Sequence, residues 1–281
     1  MRVGACVLRG FARKWGMFLL GGLDFPKDAA SLVSAIEQGL HPLGLGAGRV
    51  QCEGAFPALS LLRCDLSGAV FRSEHRAATA AGALQPGFFA RRVEVACDAA
   101  TLGGLGFSAS LTLDDAVFAF ARDAAGAPML ALEQCGAGVL ELAVTRSEFE
   151  KLVFSLAAKA AEEQGAEVKA VSVTWEASGE RAVALRVVAR AKAMFMETSV
   201  SARGRVEVTD ALAVVVSGLS CSGEGMVGNL AATFLRKEIP KYEGRSVSLA
   251  GVFGGIRLKD VGLRCEPDIL RVRAHAAPGV G

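Results

Sequence analysis

Two neighbouring stretches alternate apolar and polar side chains with unusual persistence, and this regularity constrains the fold more than any other feature. In residues 183–195 the odd positions are apolar, while Arg186, Arg190 and Lys192 fall between them. In residues 199–208 valine, alanine and glycine alternate with serine, arginine and glutamate. Successive side chains of a strand point to opposite faces, so each stretch predicts a strand with one apolar and one wet face. Strands longer than the usual five or six residues must twist, which indicates an antiparallel sheet covered on one side.

Three other segments have helical periodicity. Asp28 is placed to cap a helix that runs to about Leu40 with its apolar residues on one face. Thr145 and Glu148 form a capping-box pattern before a helix predicted at 146–163. A third helix is predicted at 224–238, where the following proline ends it.

These elements together predict an α+β fold, in which a long, strongly twisted antiparallel sheet wraps around amphipathic helices. Each half of the chain places an amphipathic helix before long strands, so we predict two pseudo-repeated halves. The predicted units are a leader or surface anchor at 1–27, a first half at 28–144, a second half at 145–275 and a loose tail at 276–281.

The first residues leave three interpretations open. Arg2, Arg9, Arg13 and Lys14 precede a short, glycine-interrupted apolar stretch at 15–23. This order is shared by signal peptides and by basic-aromatic surface anchors, and a plain packed terminus also fits. We expect a cytoplasmic or peripheral membrane location, or an envelope or secreted one if these residues act as a leader.

Composition and motifs exclude several classes of function. The chain of 281 residues is 52% hydrophobic and 21% charged with a net charge of +2, which argues against disorder and against nucleic-acid binding. The seven cysteines form no CxxC pair, and the three histidines have no metal-binding neighbours, so no metal or other cofactor is expected. The cysteines are interpreted as small buried hydrophobes, although Cys52 and Cys64 are placed to bridge neighbouring strands in an oxidising compartment. No catalytic motif is present, and we expect no enzymatic activity.

The predicted strands present more apolar surface than the three predicted helices can cover. We predict an elongated apolar groove that takes lipid or a fatty-acid-like ligand. The predicted lining is Phe149, Leu152, Val153, Leu156, Trp175, Leu185, Val187, Met226, Leu230 and Phe234. The alternatives are a structural or scaffold module with a filled core that binds a protein partner through its basic face, and an enzyme for apolar substrates with a buried polar group in the groove.

A basic stretch follows the third helix. It contains the only tyrosine of the chain, and its members are Arg236, Lys237, Lys241, Tyr242, Arg245, Arg257 and Lys259. A solvated face explains such a stretch, and contact with anionic lipid headgroups is the functional alternative. The sequence does not indicate an oligomeric state.

The order of the elements is similar to that of a known family. The chain resembles the LmeA-like phospholipid-binding family of the tubular lipid-binding (TULIP-like) group over about residues 28–275. The resemblance is carried by the segments Ala55-Phe56-Pro57-Ala58-Leu59, Leu66-Ser67-Gly68-Ala69-Val70, Val144-Thr145-Arg146-Ser147-Glu148-Phe149, Phe234-Leu235-Arg236-Lys237-Glu238-Ile239-Pro240 and Gly255-Ile256-Arg257-Leu258-Lys259-Asp260-Val261. It implies a curved sheet around long helices and lipid binding or transfer without chemistry, and it supplies no polar site.

Overall fold

The computed structural model describes residues 17–72, 80–162, 165–193, 196–249 and 257–277. The α-helices in these ranges are α1 (Ala29–Leu40), α2 (Arg146–Glu162) and α3 (Gly225–Glu238). Their bounds confirm the three predicted helices to within a residue or two. Short 3-10 turns follow α1 at His41–Leu43 and α3 at Ile239–Lys241.

Strands make up most of the rest of the described chain. They are β1 (Met17–Leu19), β2 (Val50–Ala55), β3 (Ala58–Asp65), β4 (Val70–Phe71), β5 (Gln85–Leu102), β6 (Leu105–Arg122), β7 (Pro128–Gln134), β8 (Gly138–Thr145), β9 (Ala166–Gly179), β10 (Ala182–Ala193), β11 (Met196–Val208), β12 (Ala213–Gly223), β13 (Ser246–Ser248), β14 (Arg257–Cys265) and β15 (Ile269–Ala277). The two alternating stretches correspond to β10 and β11, which confirms that these strands are long.

The strands form two open sheets. The first sheet has the order β14-β15-β8-β6-β5-β3-β2, with β4 beside β5 and with β7 linking β6 to β1. The second sheet has the order β13-β12-β11-β10-β9. The second sheet is antiparallel as predicted, but β3 and β4 run parallel to β5, so the expectation of purely antiparallel pairing is wrong for the first sheet. Parallel pairing arises because the chain crosses over after β3 and enters β5 in the same direction.

The first sheet has a filled core beneath α1. The Asp28 carboxylate accepts a hydrogen bond from the Ser31 backbone N–H at 2.7 Å, which confirms the predicted helix cap. The buried face of α1 presents Leu32, Ile36 and Leu40 to the sheet. Aromatic rings fill another part of the same core, where the ring centroids of Phe88 and Phe118 are 4.8 Å apart.

One tryptophan connects the two sheets. Trp175 on β9 is 6% exposed, and its indole Nε1 donates to the Glu266 carbonyl in the β14–β15 turn at 2.9 Å. Its ring meets the edge of Phe149 on α2, with centroids 6.2 Å apart. The backbone N–H of Arg146 donates to the Asp268 carbonyl in the same turn. The start of α2, the second sheet and the last hairpin of the first sheet therefore meet at this junction.

The junction predicts how Trp175 contributes to stability. Trp175→Phe keeps most of the buried ring but removes the donor to Glu266, so we expect the free energy of unfolding to fall by about 1 kcal/mol. Trp175→Ala also removes the packing, and we expect a loss of about 3–5 kcal/mol. Urea denaturation of both variants measures the two contributions, and equal losses would show that ring packing is unimportant at the junction.

The described cysteines are free thiols, including Cys52 and Cys64, so the alternative of a disulfide between these two is not present. Cys97 is 1% exposed, and its Sγ donates to the Leu66 carbonyl oxygen at 3.6 Å. Burial, with a smaller contribution from the negative charges of Asp98 and Asp65, raises the pKa of Cys97 to about 12.

A raised pKa keeps the Cys97 thiol protonated at neutral pH, and the thiolate is the nucleophile. We therefore expect Cys97 to resist alkylation in the native protein at pH 7 to about 9 and to react at an ordinary rate once urea unfolds the chain. Peptide mass spectrometry after timed iodoacetamide treatment measures this difference. Rapid alkylation of Cys97 without denaturant would contradict the buried position.

Candidate functional site

The strand register places both later helices on the same face of the second sheet. Val173, Val187, Ala202 and Cys221 lie directly opposite one another on β9 to β12, so their side chains share one face. Val153 of α2 packs in the cluster that contains Val173. The Cys221 Sγ contacts the Ala232 carbonyl of α3 at 3.2 Å. The apolar face of this sheet therefore carries α2 at one side and α3 at the other.

Helix α2 covers the edge strand β9. Phe149 and Val153 point to the sheet, and the Glu150 carboxylate accepts a hydrogen bond from the Val173 backbone N–H at 2.8 Å. Among the strands that the structure describes, β9 pairs with β10 alone, so this N–H lies on the open edge of the sheet. Leu152 and Leu156 lie on the opposite flank of α2 from Glu150, because a helix turns once every 3.6 residues. That flank faces β10.

Helix α3 lies against β11 and β12 through small residues. Gly228 and Ala232 are buried against the sheet, and a side chain at Gly223 would collide with the backbone of Gly228. Arg236 Nε donates to the Cys221 carbonyl at 3.2 Å, which holds the β12 side of α3 in place. Phe234 lies one helical turn beyond Leu230, so both side chains point away from the sheet, and Phe234 is 56% exposed.

The middle strand β10 runs between the two helices. Its inward side chains are Leu185, Val187, Ala189 and Ala191, and all four are half-buried. We call this strip of β10, with α2 and α3 on its two sides, the trough. At the end of β10 away from Trp175 the inward residues are alanines, whose short side chains leave more open space above the sheet than valine or leucine would. Repeated alanines at inward positions are the sequence signal for this floor, and apolar periodicity alone does not distinguish them from larger residues.

The structure brings part of the predicted lining together. Phe149, Val153, Trp175, Leu185 and Val187 belong to one cluster at the junction end of the trough. Leu152 and Leu156 are half-buried on the flank of α2 that faces β10. Leu230 and Phe234 remain 59% and 56% exposed on α3, and the side chain of Met226 lies outside the described residues. Lipid contact by these residues stays a prediction.

The predicted basic residues separate into two groups. Arg236, Lys237, Lys241, Tyr242 and Arg245 follow one another along the end of α3 and the turn after it. Lys237 Nζ lies 5.6 Å from the Phe234 ring centroid, and the Arg245 guanidinium lies 5.3 Å from that of Tyr242. Lys259 is exposed on β14 of the first sheet, and the side chain of Arg257 lies outside the described residues.

Polar depressions occur elsewhere on the surface. One of about 520 Å³ lies on the wet face of β9 and β10, where Ser172, Thr174, Arg186 and Arg190 line it. Another of about 520 Å³ has Glu141, Asp260, Arg264 and Arg273 among its lining residues. The second depression is lined mainly by polar and charged groups and suits a polar molecule, whereas Ala170, Val171 and Val188 also line the first one.

Metal and membrane-spanning features are also absent from the described ranges. No group of histidine, cysteine, aspartate or glutamate side chains there is arranged to hold a metal ion. No helix in the same ranges is both long and apolar enough to cross a bilayer.

Comparison with known proteins adds little to this description. Neither a family model nor a curated protein matches the chain. A solved structure described as lipopolysaccharide binding protein aligns with 58% of this chain and about half of its own length, 53%, at 12% identity and a TM-score of 0.25. A likeness of this size supports no conclusion about fold or ligand, and the resemblance to the LmeA-like family stays a prediction.

The contact between Glu150 and Val173 predicts how α2 is held beside the trough. Glu150→Ala removes the acceptor for an edge-strand N–H, so we expect amide hydrogen exchange of Val173 to become about fivefold to tenfold faster, equivalent to about 1 kcal/mol. Lys151→Ala is the matched control, because Lys151 pairs with Glu148 on the exposed side of the same helix. Equal exchange rates in the two variants would show that Glu150 does not hold α2 to β9.

Proposed function

We propose that this protein is a non-enzymatic lipid-binding protein, which holds an acyl chain or a similar elongated apolar ligand in the trough. The observation that carries the proposal is the incomplete cover of the apolar face of the second sheet. Val173 and Val183 near the junction are 1% and 2% exposed, whereas the inward residues further along β10 are only half-buried. The helices leave apolar surface accessible along the line of one strand.

The dimensions of the trough suit a chain-like ligand. From Leu185 to Ala191 the inward positions of β10 extend over roughly 20 Å, since a strand rises about 3.4 Å per residue. Each methylene that moves from water onto this floor contributes about 0.8 kcal/mol. Leu152 and Leu156 on α2 give the ligand an apolar wall on one side.

The chemistry of the floor supports binding without catalysis. Leu185, Val187, Ala189 and Ala191 carry aliphatic side chains, which neither transfer protons nor attack a substrate. The described residues of the floor thus provide contact area and no reacting group. An ester or amide bond of a bound lipid would lie against hydrocarbon there.

A non-catalytic scaffold is the second candidate function. The filled core of the first sheet, with its stacked Phe88 and Phe118, favours a rigid structural role for that part of the chain. A scaffold requires that the second sheet bind no small ligand, so uptake of a fatty acid separates the two candidates.

Blocking the floor tests the proposal. Ala189→Trp places an indole in the trough, and we expect it to weaken binding of a fluorescent long-chain fatty acid by about tenfold or more, because two displaced methylenes account for about 1.6 kcal/mol. Val188→Trp is the matched control, since Val188 lies on the wet face of the same strand. Fluorescence titration and native mass spectrometry measure binding.

Circular dichroism and urea denaturation must show that both variants are folded. Weak binding by the Ala189 variant together with normal binding by the Val188 variant supports the trough. Absence of uptake by the unmodified protein, or equal uptake by the two variants, would favour the scaffold.

A further inference from the structure

The outer side of α3 combines exposed apolar and basic side chains. Leu230 lies on the side of the helix opposite Gly228 and Ala232, the residues that face the sheet. Lys237 lies two turns further on the same side, so Leu230 and Lys237 both point to solvent. Leu230 and Phe234 are 59% and 56% exposed and lie one helical turn apart, so they form adjoining exposed apolar surface, which is typical of an interaction site.

The charge around this side selects the kind of partner. Arg236, Lys237, Lys241 and Arg245 lie within 15 residues after Leu230, and the Glu238 carboxylate among them pairs with Lys241 at 2.7 Å. The Glu243 carboxylate accepts from the backbone N–H groups of Gly218 and Leu219 at 2.8 and 2.9 Å, so it turns toward β12. The outer side of α3 therefore ends in a net positive rim.

We propose that the outer side of α3 docks on an anionic lipid bilayer. Helices that lie on membranes place large apolar side chains in the acyl boundary and basic side chains among the headgroups. Leu230 enters the acyl boundary and Lys237 contacts the lipid phosphates, while Lys241 offsets the negative charge of Glu238. A protein partner would need an acidic surface with an apolar pocket, whereas a bilayer that contains anionic lipid offers both features everywhere on its surface.

Phe234 lies one helical turn beyond Leu230 and is 56% exposed on the same side, so it joins the apolar part of the docking surface. The trough opens on the same face of the sheet as α3, so docking would place the trough opposite the bilayer, and that consequence rests on the function proposed above. Docking itself does not depend on the trough, because none of the outer-side residues belongs to its floor.

Vesicle binding tests the docking surface with the full chain. We expect cosedimentation with phosphatidylcholine vesicles that contain phosphatidylserine, and weak or no cosedimentation with phosphatidylcholine alone. Leu230→Ser should weaken binding to the anionic vesicles by about tenfold. Lys237→Glu combined with Lys241→Glu should weaken it by more than about tenfold and should abolish its dependence on salt.

Matched controls use the same substitutions elsewhere. Leu84→Ser changes another exposed leucine, 46% exposed, and Arg91→Glu changes a basic residue on β5, so both should bind vesicles like the unmodified protein. Ala189→Trp should also bind vesicles normally while it loses fatty-acid uptake, which separates failure of docking from failure of the trough.

Three results would overturn the proposal. The first is equal binding to neutral and anionic vesicles, and the second is unchanged binding of the Leu230 and Lys237/Lys241 variants. The third is a dimer in solution that Leu230→Ser dissociates, because a second copy of the chain would then cover α3.

Discussion

The apolar face of the second sheet is wider than the helices that pack on it, and the proposed binding of a lipid depends on this mismatch. Helix α2 covers β9 and helix α3 covers β11 and β12, while β10 lies between them. Two helices in direct contact have axes about 8–10 Å apart, whereas β9 and the line between β11 and β12 are separated by roughly 12 Å at the usual strand spacing. The half-buried inward side chains of β10 agree with this difference.

The junction at Trp175 explains why the trough is open at one end of the sheet and closed at the other. There the indole, Phe149 and the β14–β15 turn pack together, and Val173 and Val183 are almost fully buried. Away from the junction the first sheet no longer contributes cover, and the second sheet depends on α2 and α3 alone. The first sheet therefore acts as a filled support, and the second presents the surface available for binding.

Periodicity predicts the helices and the long strands, because side-chain spacing reports which residues share a face. It does not identify the neighbours of a strand, so the parallel pairing of β3 with β5 does not follow from it. The sequence pattern also predicts no element at 213–223, where Gly218 has a positive φ of 63° and the register with β11 shifts between Arg203 and Arg205, which breaks the alternation in β12.

The position of α3 shows a second limit of the sequence pattern. Its largest apolar side chains predict that Leu230 and Phe234 face the sheet. In the structure Gly228 and Ala232 face the sheet instead, because small residues allow the helix backbone to approach Gly223 closely. Close approach of the backbone thus turns both Leu230 and Phe234 away from the sheet. A hydrophobic pattern does not show whether a helix packs on a sheet through its large apolar side chains or through small residues that bring the two backbones close together.

Exposed apolar surface carries a cost that indicates how such a chain would respond to its ligand. A half-covered sheet face and an exposed leucine favour aggregation unless another surface covers them. An occupant that binds only the folded state stabilises it in proportion to RT ln(1 + [L]/Kd), where [L] is the concentration of free ligand. Because the core of the first sheet has no room for a ligand, an occupant of the trough would mainly stabilise β10 and the sides of α2 and α3 that border it. Occupancy of the trough would therefore stabilise the second sheet and its two helices more than the first sheet.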